Sequence, residues 1–422
     1  MFSRQSAHAL RRAASERCYI NCALRRAEST DVHSSPASQP DNGPRIRREK
    51  TPNYPSSNRK VIFSGIQPTG IPHLGNYLGA LRQWVKLQDE ALPQDRLIFS
   101  IVDLHAITVA YDPEQLVQWR REMYAALLAV GLDPKRCVIF SQSEVLEHTQ
   151  LMWILSCQAS MGYLGRMTQW KSKLSLADNA SPLDPSPSNK AALKLGLFSY
   201  PVLQAADILL YQATHVPVGE DQAQHLEFAR ELANGINHTF FANKKITPFI
   251  KPPQTIHSPA KRVMSLQNPI KKMSKSDPDP RSRILITDTR ETIHAKIKHA
   301  RTDSVAGISY DRDMRPGVSN LIDIMYYMDE TKHTSPEMLA HDMFGADLSM
   351  KAMKEKVADT IDEALAEVRE RFREQMARSN ADVLKEVSTG AAKARSIAGD
   401  THIRLKSAMG LRFGQRDFLK ES

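Results

Sequence analysis

The chain has 422 residues and a formal net charge of +10, with 41% hydrophobic and 25% charged residues, values that are ordinary for a globular protein of one or two domains. No run approaches the ~18 apolar residues that a membrane-spanning helix needs, so no contact with a membrane is expected. The four cysteines include no CxxC pair, so no structural metal site is expected either.

The first 58 residues differ in composition from the rest. They hold ten Lys and Arg against five Asp and Glu, a net of +5. Residues 1–27 are rich in Arg, Ser and Ala, which is typical of a mitochondrial transit peptide, and residues 28–58, with five prolines, predict a disordered linker. We expect import into the mitochondrial matrix and removal of the transit peptide. The alternative is a basic arm that contacts RNA in the cytosol.

Residues 61–64 (VIFS) predict a buried strand, and the turn after it leads into a helix. From Gly75 onward the apolar side chains follow helical spacing, which puts His73-Leu74-Gly75-Asn76 at the helix N-terminus. Backbone N–H groups and the positive end of the helix dipole favour a phosphate there, and Gly75 has no side chain to block its approach. His73 and Asn76 can also donate hydrogen bonds to phosphate oxygens. This segment therefore predicts a phosphate site.

A second polar group lies within the apolar segment at residues 196–225. Tyr200, Gln204 and Asp207 fall at i, i+4 and i+7, on one face of a predicted helix whose other positions are almost all apolar. A carboxylate is costly to bury there without a partner, so it is either exposed or capped, or it accepts from a ligand. Asp207 in an apolar wall would suit a ligand that has one N–H donor and no acceptor, as an indole does.

About 200 residues after the phosphate site, Lys272-Met273-Ser274-Lys275-Ser276 lies in a Ser-rich segment that predicts a loop without core contacts. Its ammonium groups can act as mobile charges on pyrophosphate. Alone, such a segment is usually a solvated basic loop. Together with His73-Leu74-Gly75-Asn76, in this order, it resembles the signature of the class I aminoacyl-tRNA synthetases.

The last third of the chain changes character. Residues 283–287 (RILIT) predict a final strand, and helical patterns follow from residue 291. Ser335-Pro336-Glu337 predicts a helix start, and an apolar face follows at Met353, Val357, Ile361, Leu365, Val368, Phe372 and Met376. Basic residues lie on the other faces, namely Arg369, Arg371, Arg373, Arg378, Lys393, Arg395, Arg404, Lys406 and Arg412. A solvated helix face is the simplest reading of such charges, and binding of RNA phosphates is the functional one.

The spacing of Tyr200, Gln204 and Asp207 also occurs in tyrosyl-tRNA synthetases, so it leaves the amino acid open. The flanking segments decide it: GIQPTG (65–70), GNYLGALRQW (75–84), IVDLHAIT (101–108) and VPVGEDQAQH (216–225). Together these resemble the tryptophanyl-tRNA synthetases. The resemblance is to the mitochondrial type, because Gln204 stands where bacterial members commonly have Met.

The resemblance, which runs from about residue 59 to the C-terminus, implies an α/β fold of the class I synthetase type. We expect a Rossmann-like, doubly wound parallel sheet with a C-terminal α-helical domain. The catalytic domain, with a helical insertion, would span residues 59–288, and the domain that binds the tRNA anticodon would span residues 289–422. Residues 178–190, rich in Pro and Ser, predict a surface excursion.

The resemblance also implies the site residues. Catalytic roles would belong to His73, Asn76, Lys173, Lys272 and Lys275. Contacts to ATP would come from Gln67, Pro68, Thr69, Gly75, Asn76, Gly219, Glu220, Asp221, Val263, Lys272, Met273, Ser274, Lys275 and Ser276. Contacts to tryptophan would come from Gly65, Gln67, His105, Tyr200, Gln204, Asp207 and Gln222. By itself, His105 reads as a core histidine satisfied by backbone. Mg²⁺ would arrive with ATP and be held mainly by its phosphates.

The implied activity is that of a tryptophan–tRNA ligase. The tryptophan carboxylate attacks the α-phosphate of ATP, pyrophosphate leaves, and the tryptophanyl group passes to tRNA(Trp) for organellar translation. A homodimer is expected by analogy. Besides tyrosine activation, two alternatives stay open. One is a nucleotidyltransferase that does not use tRNA and would not need residues 291–422. The other is a non-enzymatic RNA-binding protein descended from a synthetase.

Overall fold

The structure of the chain is a computed structural model. It describes residues 59–174, 193–219, 222–242, 248–257, 262–329 and 334–413, apart from the side chains of Ser172 and Lys173. The predicted transit peptide, the linker, the excursion at residues 178–190, Glu220 and Asp221 lie outside the described residues. None of the described helices is long and apolar enough to cross a bilayer.

In the described part of the chain, five strands form one parallel sheet. They are β1 (Val61–Ile66), β2 (Arg96–Ile101), β3 (Val138–Ser141), β4 (His215–Val218) and β5 (Gln254–His257). Their order is β3-β2-β1-β4-β5, and every pairing between neighbours is parallel. The sheet therefore winds outward in both directions from β1. Ligands of such sheets bind beyond the carboxyl ends of the strands at this reversal point, here between β1 and β4.

Side chains of the central strands alternate between two cores. Ile62, Leu97 and Phe99 pack on one face of the sheet, whereas Phe63 and Ile98 pack on the other. Because both faces are covered, the strands are continuous apolar runs rather than alternating ones, as VIFS is. The predicted doubly wound α/β fold is confirmed.

Helices cover both faces and continue beyond the sheet. They are α1 (Leu74–Asn76), α2 (Arg82–Glu90), α3 (Asp103–Ala106), α4 (Pro113–Ala129), α5 (Glu147–Ser156), α6 (Met161–Arg166), α7 (Gln169–Lys173), α8 (Leu195–Leu210), α9 (Ala223–Ile236), α10 (Arg290–Lys298), α11 (Pro316–Met328), α12 (Pro336–Gly345), α13 (Met350–Ala377) and α14 (Asn380–Ala408). The π-helical turn Tyr77–Leu81 joins α1 to α2, and the 3₁₀ turn Gln142–Glu144 follows β3.

The C-terminal helices have the predicted start and the predicted face. Ser335 Oγ accepts the N–H of Met338, and Pro336 is the first residue of α12. The apolar residues of α13 from Met353 to Phe372 are buried. They belong to the same core as Ile62, which runs from β1 and β2 into α10 to α13 without a break. The domain boundary near residue 288 stays a prediction.

The strand predicted at residues 283–287 is wrong. Ile284 and Ile286 are fully buried, but the segment makes only an isolated antiparallel bridge, between Leu285 and His73. The Leu74 N–H donates to Ile284 O at 2.8 Å, and the Ile286 N–H donates to Pro72 O at 3.0 Å. Alternating apolar residues suggested a strand, but the partner is a short stretch ahead of α1 that cannot extend a ladder. The segment instead holds the start of α1 in place.

Helix α14 returns to the sheet and packs against its edge strand β3. At Gly390 the approach is so close that a Cβ atom would lie 1.9 Å from the Ile139 carbonyl oxygen. Both partners in this contact are backbone, so neither can yield by rotating a side chain. Gly390 therefore sets the distance between α14 and β3.

We expect Gly390→Ala to lower the free energy of unfolding by about 1–3 kcal/mol, because the added methyl group overpacks a contact between two backbones. Gly399→Ala is the matched control, since Gly399 lies in the same helix and its Cβ would meet no atom within 4 Å. That change should raise stability by up to about 1 kcal/mol through helix propensity. Urea unfolding of residues 59–422 measures both, and equal effects would show that the close approach does not matter.

Candidate active site

The predicted site residues converge at the carboxyl edge of the sheet. The turn at residues 67–70 follows β1, His105 lies on α3 directly after β2, and Gly219 follows β4. This edge lies at the reversal point between β1 and β4, where an open α/β sheet forms its crevice. The fold therefore brings together segments that are up to about 150 residues apart in the sequence.

The helix predicted from Gly75 begins at Leu74 with a reciprocal cap. His73 Nδ1 accepts the Asn76 N–H at 3.3 Å, and Asn76 Oδ1 accepts the His73 N–H at 3.2 Å. This capping box uses the acceptor atoms of both side chains. The His73 Nε2–H and the Asn76 amide N–H groups remain as donors toward a phosphate. Both predicted phosphate donors thus also build the helix end.

His73 is 4% exposed and lies among positive charges. Burial, followed by the charges of Lys275, Lys272 and Arg283, lowers the pKa of His73 to about 3. The ring is therefore neutral at physiological pH. Because Nδ1 accepts the Asn76 N–H, its single proton resides on Nε2. The cations that lower this pKa form an environment that favours an anion beside the start of α1.

The loop of residues 272–276 is anchored more firmly than predicted. Met273 is 2% exposed and belongs to the core, and its N–H donates to Val263 O at 3.0 Å. The expectation that this loop makes no core contact is therefore wrong. Lys275 Nζ donates to the Gly70 carbonyl at 2.6 Å, which joins the loop to the turn after β1. Burial lowers the pKa of Lys275 to about 8, Glu122 opposing this shift and Arg283 adding to it.

Val263 and Gly75 lie against each other at the base of this loop. Val263 is 5% exposed, and a Cβ at position 75 would lie 3.7 Å from the Val263 Cβ and 3.0 Å from the His73 ring. Glycine at position 75 is therefore needed for the fit of the His73 ring as well as for the approach of a phosphate. Among the other predicted ATP contacts, Gln67 O accepts the Thr69 N–H at 3.0 Å, and Gly219 O accepts the Gln222 N–H at 3.0 Å.

Asp207 is buried, with 1% exposure, and is held by three described side chains. His105 Nε2 lies 2.8 Å from Oδ2, whereas His148 Nδ1 and Gln142 Nε2 each lie 2.6 Å from Oδ1. Burial raises the pKa of Asp207, but the hydrogen bonds from His105 and His148 outweigh it and lower the pKa to about 2. An ionised carboxylate only accepts, so both histidines donate to it. One acceptor position is left, on Oδ2.

A hydrogen-bonded chain continues behind Asp207. His148 Nε2 lies 2.8 Å from the Tyr211 hydroxyl, and burial raises the pKa of Tyr211, so the phenol keeps its proton. A neutral His148 that donates through Nδ1 can accept that proton's hydrogen bond at Nε2. Tyr211 thus fixes the tautomer of His148, and His148 fixes Asp207.

The other predicted tryptophan contacts lie close to this cluster. The rings of His105 and Tyr200 meet edge to face, with 6.1 Å between centroids. The Tyr200 hydroxyl bonds Gln169 and His225, at 3.0 and 2.9 Å. Gln204 Nε2 donates to Gln222 Oε1 at 3.1 Å, which connects α8 to the start of α9. The face predicted on α8 therefore does collect polar partners from other elements.

Sequence reasoning missed four residues that shape the site, namely Gln142, His148, Tyr211 and Arg283. Gln142 follows β3 as His105 follows β2, so the rule that strand ends line the crevice could have found it. No local pattern marks His148 or Tyr211. Arg283 Nη1 donates to Asp277 O at 2.8 Å and so shapes the loop after Ser276. Of the predicted residues, Glu220, Asp221 and the Lys173 side chain lie outside the described part.

Comparison with known proteins identifies the family. Residues 56–366 match the model for "tRNA synthetases class I (W and Y)". A mitochondrial tryptophan–tRNA ligase of Schizosaccharomyces pombe is 44% identical over 355 residues, which cover 83% of this chain and 95% of that protein. The chain belongs to the tryptophan–tRNA ligases. The predicted class of enzyme, an aminoacyl-tRNA ligase with the class I fold, is thereby confirmed for this chain.

Two solved tryptophanyl-tRNA synthetases have the same architecture. The enzyme from Mycoplasma pneumoniae is 32% identical with a TM-score of 0.70, over 84% of this chain and 98% of that one. The enzyme from Campylobacter jejuni, solved in complex with ADP and tryptophan, is 29% identical with a TM-score of 0.65, over 83% of this chain and 99% of that one. As a tryptophan–tRNA ligase, the chain binds ATP and tryptophan.

The position of Lys275 leads to a pH dependence. As pH rises through about 8, its ammonium loses the proton, so kcat/KM for ATP in pyrophosphate exchange should fall above that pH. Lys275→Arg keeps its charge and should lack this alkaline decline, whatever its absolute rate. An identical decline in both proteins would assign it to another group.

The hydrogen bonds from Tyr211 through His148 to Asp207 predict how kcat/KM for tryptophan depends on pH under acidic conditions. With a pKa of about 2, Asp207 stays ionised throughout the working range. His148→Leu removes a hydrogen bond that lowers this pKa, and burial still raises it. As the pH is lowered, kcat/KM for tryptophan should therefore begin to fall at a higher pH in the variant than in the parent protein. Tyr211→Phe keeps the bond from His148 to Asp207 and should shift the profile less. Parallel profiles between pH 5 and 8, in exchange assays on folded variants, would contradict this role of His148.

Proposed function

We propose that this tryptophan–tRNA ligase charges mitochondrial tRNA(Trp) in the matrix, with MgATP as its second substrate. The composition of residues 1–27 and the mitochondrial relative in fission yeast support the location. The observation that carries the substrate assignment is Asp207, a buried, ionised acceptor with one position left for a donor. Removal of residues 1–58 after import stays part of the proposal.

The first step needs positioning and charge neutralisation more than proton transfer. The nucleophile is the tryptophan carboxylate, which is already an anion at neutral pH, so no general base is required. The donors of His73 and Asn76 and the N–H groups at the start of α1 would hold phosphate oxygens. Lys272 and Lys275 would stabilise the charge that moves onto pyrophosphate. Lys173, Glu220 and Asp221 keep their expected roles as proposals.

Mg²⁺ would enter with ATP and leave with pyrophosphate, held by phosphate oxygens. The described residues contain no group of three or more His, Cys, Asp or Glu side chains placed to hold a metal ion. They do supply Lys272, Lys275 and Arg283 near His73. An ATP that brings its own metal ion suits such a site, because the protein then adds only positive charge and hydrogen-bond donors.

Selection of tryptophan would depend on the acceptor position left on Asp207 Oδ2. An indole N–H can donate to it, and most of the neighbours along α8 are apolar, which suits the rest of an indole ring. The carboxylate is 1% exposed, so the indole reaches it only after neighbouring side chains move. The pocket around the substrate would be completed by Tyr200, Gln204 and Gln222. Hydrogen bonds of Tyr200 and Gln204 connect α8 to α9 and its N-cap.

A homodimer is also proposed. Leu146, the N-cap residue of α5, and Trp153, seven residues later in α5, are 66% and 72% exposed, and Met161 at the start of α6 is 65% exposed. Exposed apolar groups of this size on one surface are typical of an interface. A protein that sediments as a monomer at micromolar concentration would contradict the dimer.

Pyrophosphate exchange with residues 59–422, tested with tryptophan and with tyrosine, examines the proposed activation step and its amino acid. Exchange should depend on tryptophan. Asp207→Asn should raise the KM for tryptophan about tenfold to a hundredfold, because the amide can turn a donor toward the indole N–H and leave it unsatisfied. Asp103→Asn is the control, since Asp103 is also buried after β2 but bonds Ser143 and Arg120 instead. An unchanged KM in Asp207→Asn, or exchange with tyrosine, would overturn the assignment.

A further inference from the structure

The basic side chains on and beside the last two helices include two groups. Four of them already have carboxylate partners. These pairs are Arg369–Asp362 (2.6 Å), Arg371–Glu367 (2.9 Å), Arg373–Glu370 (2.5 Å) and Arg378–Glu386 (2.8 Å). An arginine in such a pair would have to give up its partner to bind a phosphate. The arginines of α13 and its end are therefore less suited to bind a phosphate than a lysine that forms no ion pair.

The second group lies on α14 and on the loop before β3. Within the described residues, Lys135, Lys385 and Lys393 form no ion pair, and all three are exposed. The Lys393 ammonium donates only to the Pro134 carbonyl, at 3.2 Å. Lys385, Thr389 and Lys393 follow one another at intervals of four and so share one face of α14. Two lysine ammonium groups are thus held on this face.

These lysines line a cavity of about 450 Å³ between α14 and the start of β3. We name it the α14 groove. Cys137, Ile139 and Gly390 also line it, and the cationic side chains around it are Lys135, Lys385, Lys393 and Arg378. Four cations against two carboxylates, Asp382 and Glu386, give a net charge of +2.

Both carboxylates of the α14 groove are occupied. Glu386 pairs with Arg378 at 2.8 Å, and Asp382 Oδ2 accepts from Ser379 Oγ at 2.6 Å. Asp382 lies in the first turn of α14, where a negative charge is stabilised by the helix dipole. The three lysines form no ion pair with either carboxylate, so the groove presents a net positive charge to an incoming anion.

We propose that the α14 groove holds the sugar-phosphate backbone of tRNA, with Lys135, Lys385 and Lys393 as the phosphate contacts. The proposal rests on the proposed function, which requires the chain to bind a polyanionic RNA. Lys385 and Lys393 are eight residues apart, about 12 Å along the helix, so they would contact different phosphates of one strand. Lysines suit this task because a flexible point charge contacts phosphate without reading a base.

The groove has a rigid rim. Arg121 of α4 donates to Met376 O at 3.0 Å and to Arg378 O at 2.9 Å, so it caps the end of α13 just before α14 begins. Next to it in α4, Arg120 pairs with Asp103 at 3.0 Å, and Glu122 lies near Lys275. Helix α4 therefore bonds the end of α13 beside the groove and also contacts the catalytic edge of the sheet. A tRNA strand in the groove would be held at a constant position relative to that edge.

The test compares two charge reversals of equal size. Lys385→Glu with Lys393→Glu should raise the Kd for a tRNA(Trp) transcript at least about tenfold and leave tryptophan-dependent pyrophosphate exchange unchanged. Arg371→Glu with Arg373→Glu makes the same change of net charge on α13 and should have a much smaller effect. The neutral variant, Lys385→Gln with Lys393→Gln, should lower the slope of log Kd against log salt concentration by about 2, one for each lost phosphate contact.

Two results would contradict the proposal that the α14 groove binds tRNA. One is an equal loss of tRNA affinity in both charge reversals, and the other is unchanged affinity in the Lys385 and Lys393 variants. Loss of binding to anionic phosphatidylserine vesicles, with tRNA affinity intact, would assign the surface to lipid and also overturn it. Filter binding of tRNA does not depend on catalysis. If the parent protein shows no exchange with tryptophan, the proposed function fails, yet the binding comparison still decides whether the groove holds RNA.

Discussion

The arrangement of this site depends on keeping one carboxylate ionised inside an apolar core. A buried charge is expensive unless donors surround it, and Asp207 obtains them from three places in the chain. His105 comes from the end of β2, Gln142 from the end of β3, and His148 from α5. These hydrogen bonds hold α8 against the sheet, so the positions of β2, β3 and α5 are tied to the same group. The cost of the buried charge is offset by contacts that also build the fold.

The part of the site that we propose to bind phosphate has the opposite charge, because it gathers cations around His73. The chain does this with backbone contacts. Lys275 donates to a carbonyl, that of Gly70, and Met273 anchors the loop by burial in the core. A neutral His73 lies among these cations because its pKa is lowered. The charges are therefore held near one another, at a cost in repulsion that an incoming polyphosphate would relieve.

In the C-terminal helices, too, the charges differ in whether a carboxylate already pairs with them. The arginines of α13 and its C-cap are ion-paired to acids one or two turns away or across to α14. The exposed pairs among them contribute little beyond local order. Lys385 and Lys393 of α14 form no ion pair with a described residue and line a groove instead. Electrostatic recognition of RNA depends on charge that is free to release counterions at the interface. Charge alone thus says less about binding than the partners each charge already has.

Local features of this chain follow from its sequence. The strand at VIFS, the cap at His73 and Asn76 and the start of α12 at Ser335 depend on neighbouring residues, so their patterns predict them. The apolar face of α13 likewise follows from the spacing of its residues. The motifs of the chain predict the α/β fold, with two signature segments at one edge of the sheet. Polar spacing on α8 also singled out Asp207 as a group that needs partners.

The identity of those partners was decided by the tertiary structure. His148 and Tyr211 reach Asp207 only because α5 packs against α8, and no local pattern carries that information. Residues 283–287 alternate like a strand but form none, because whether an extended segment joins a sheet depends on a partner far away in the chain. The division of the basic residues into paired and unpaired ones likewise depends on which acids the fold brings near. Periodicity and capping are short-range properties that a sequence displays directly, whereas the pairing of charges and the position of a groove arise from contacts between distant segments.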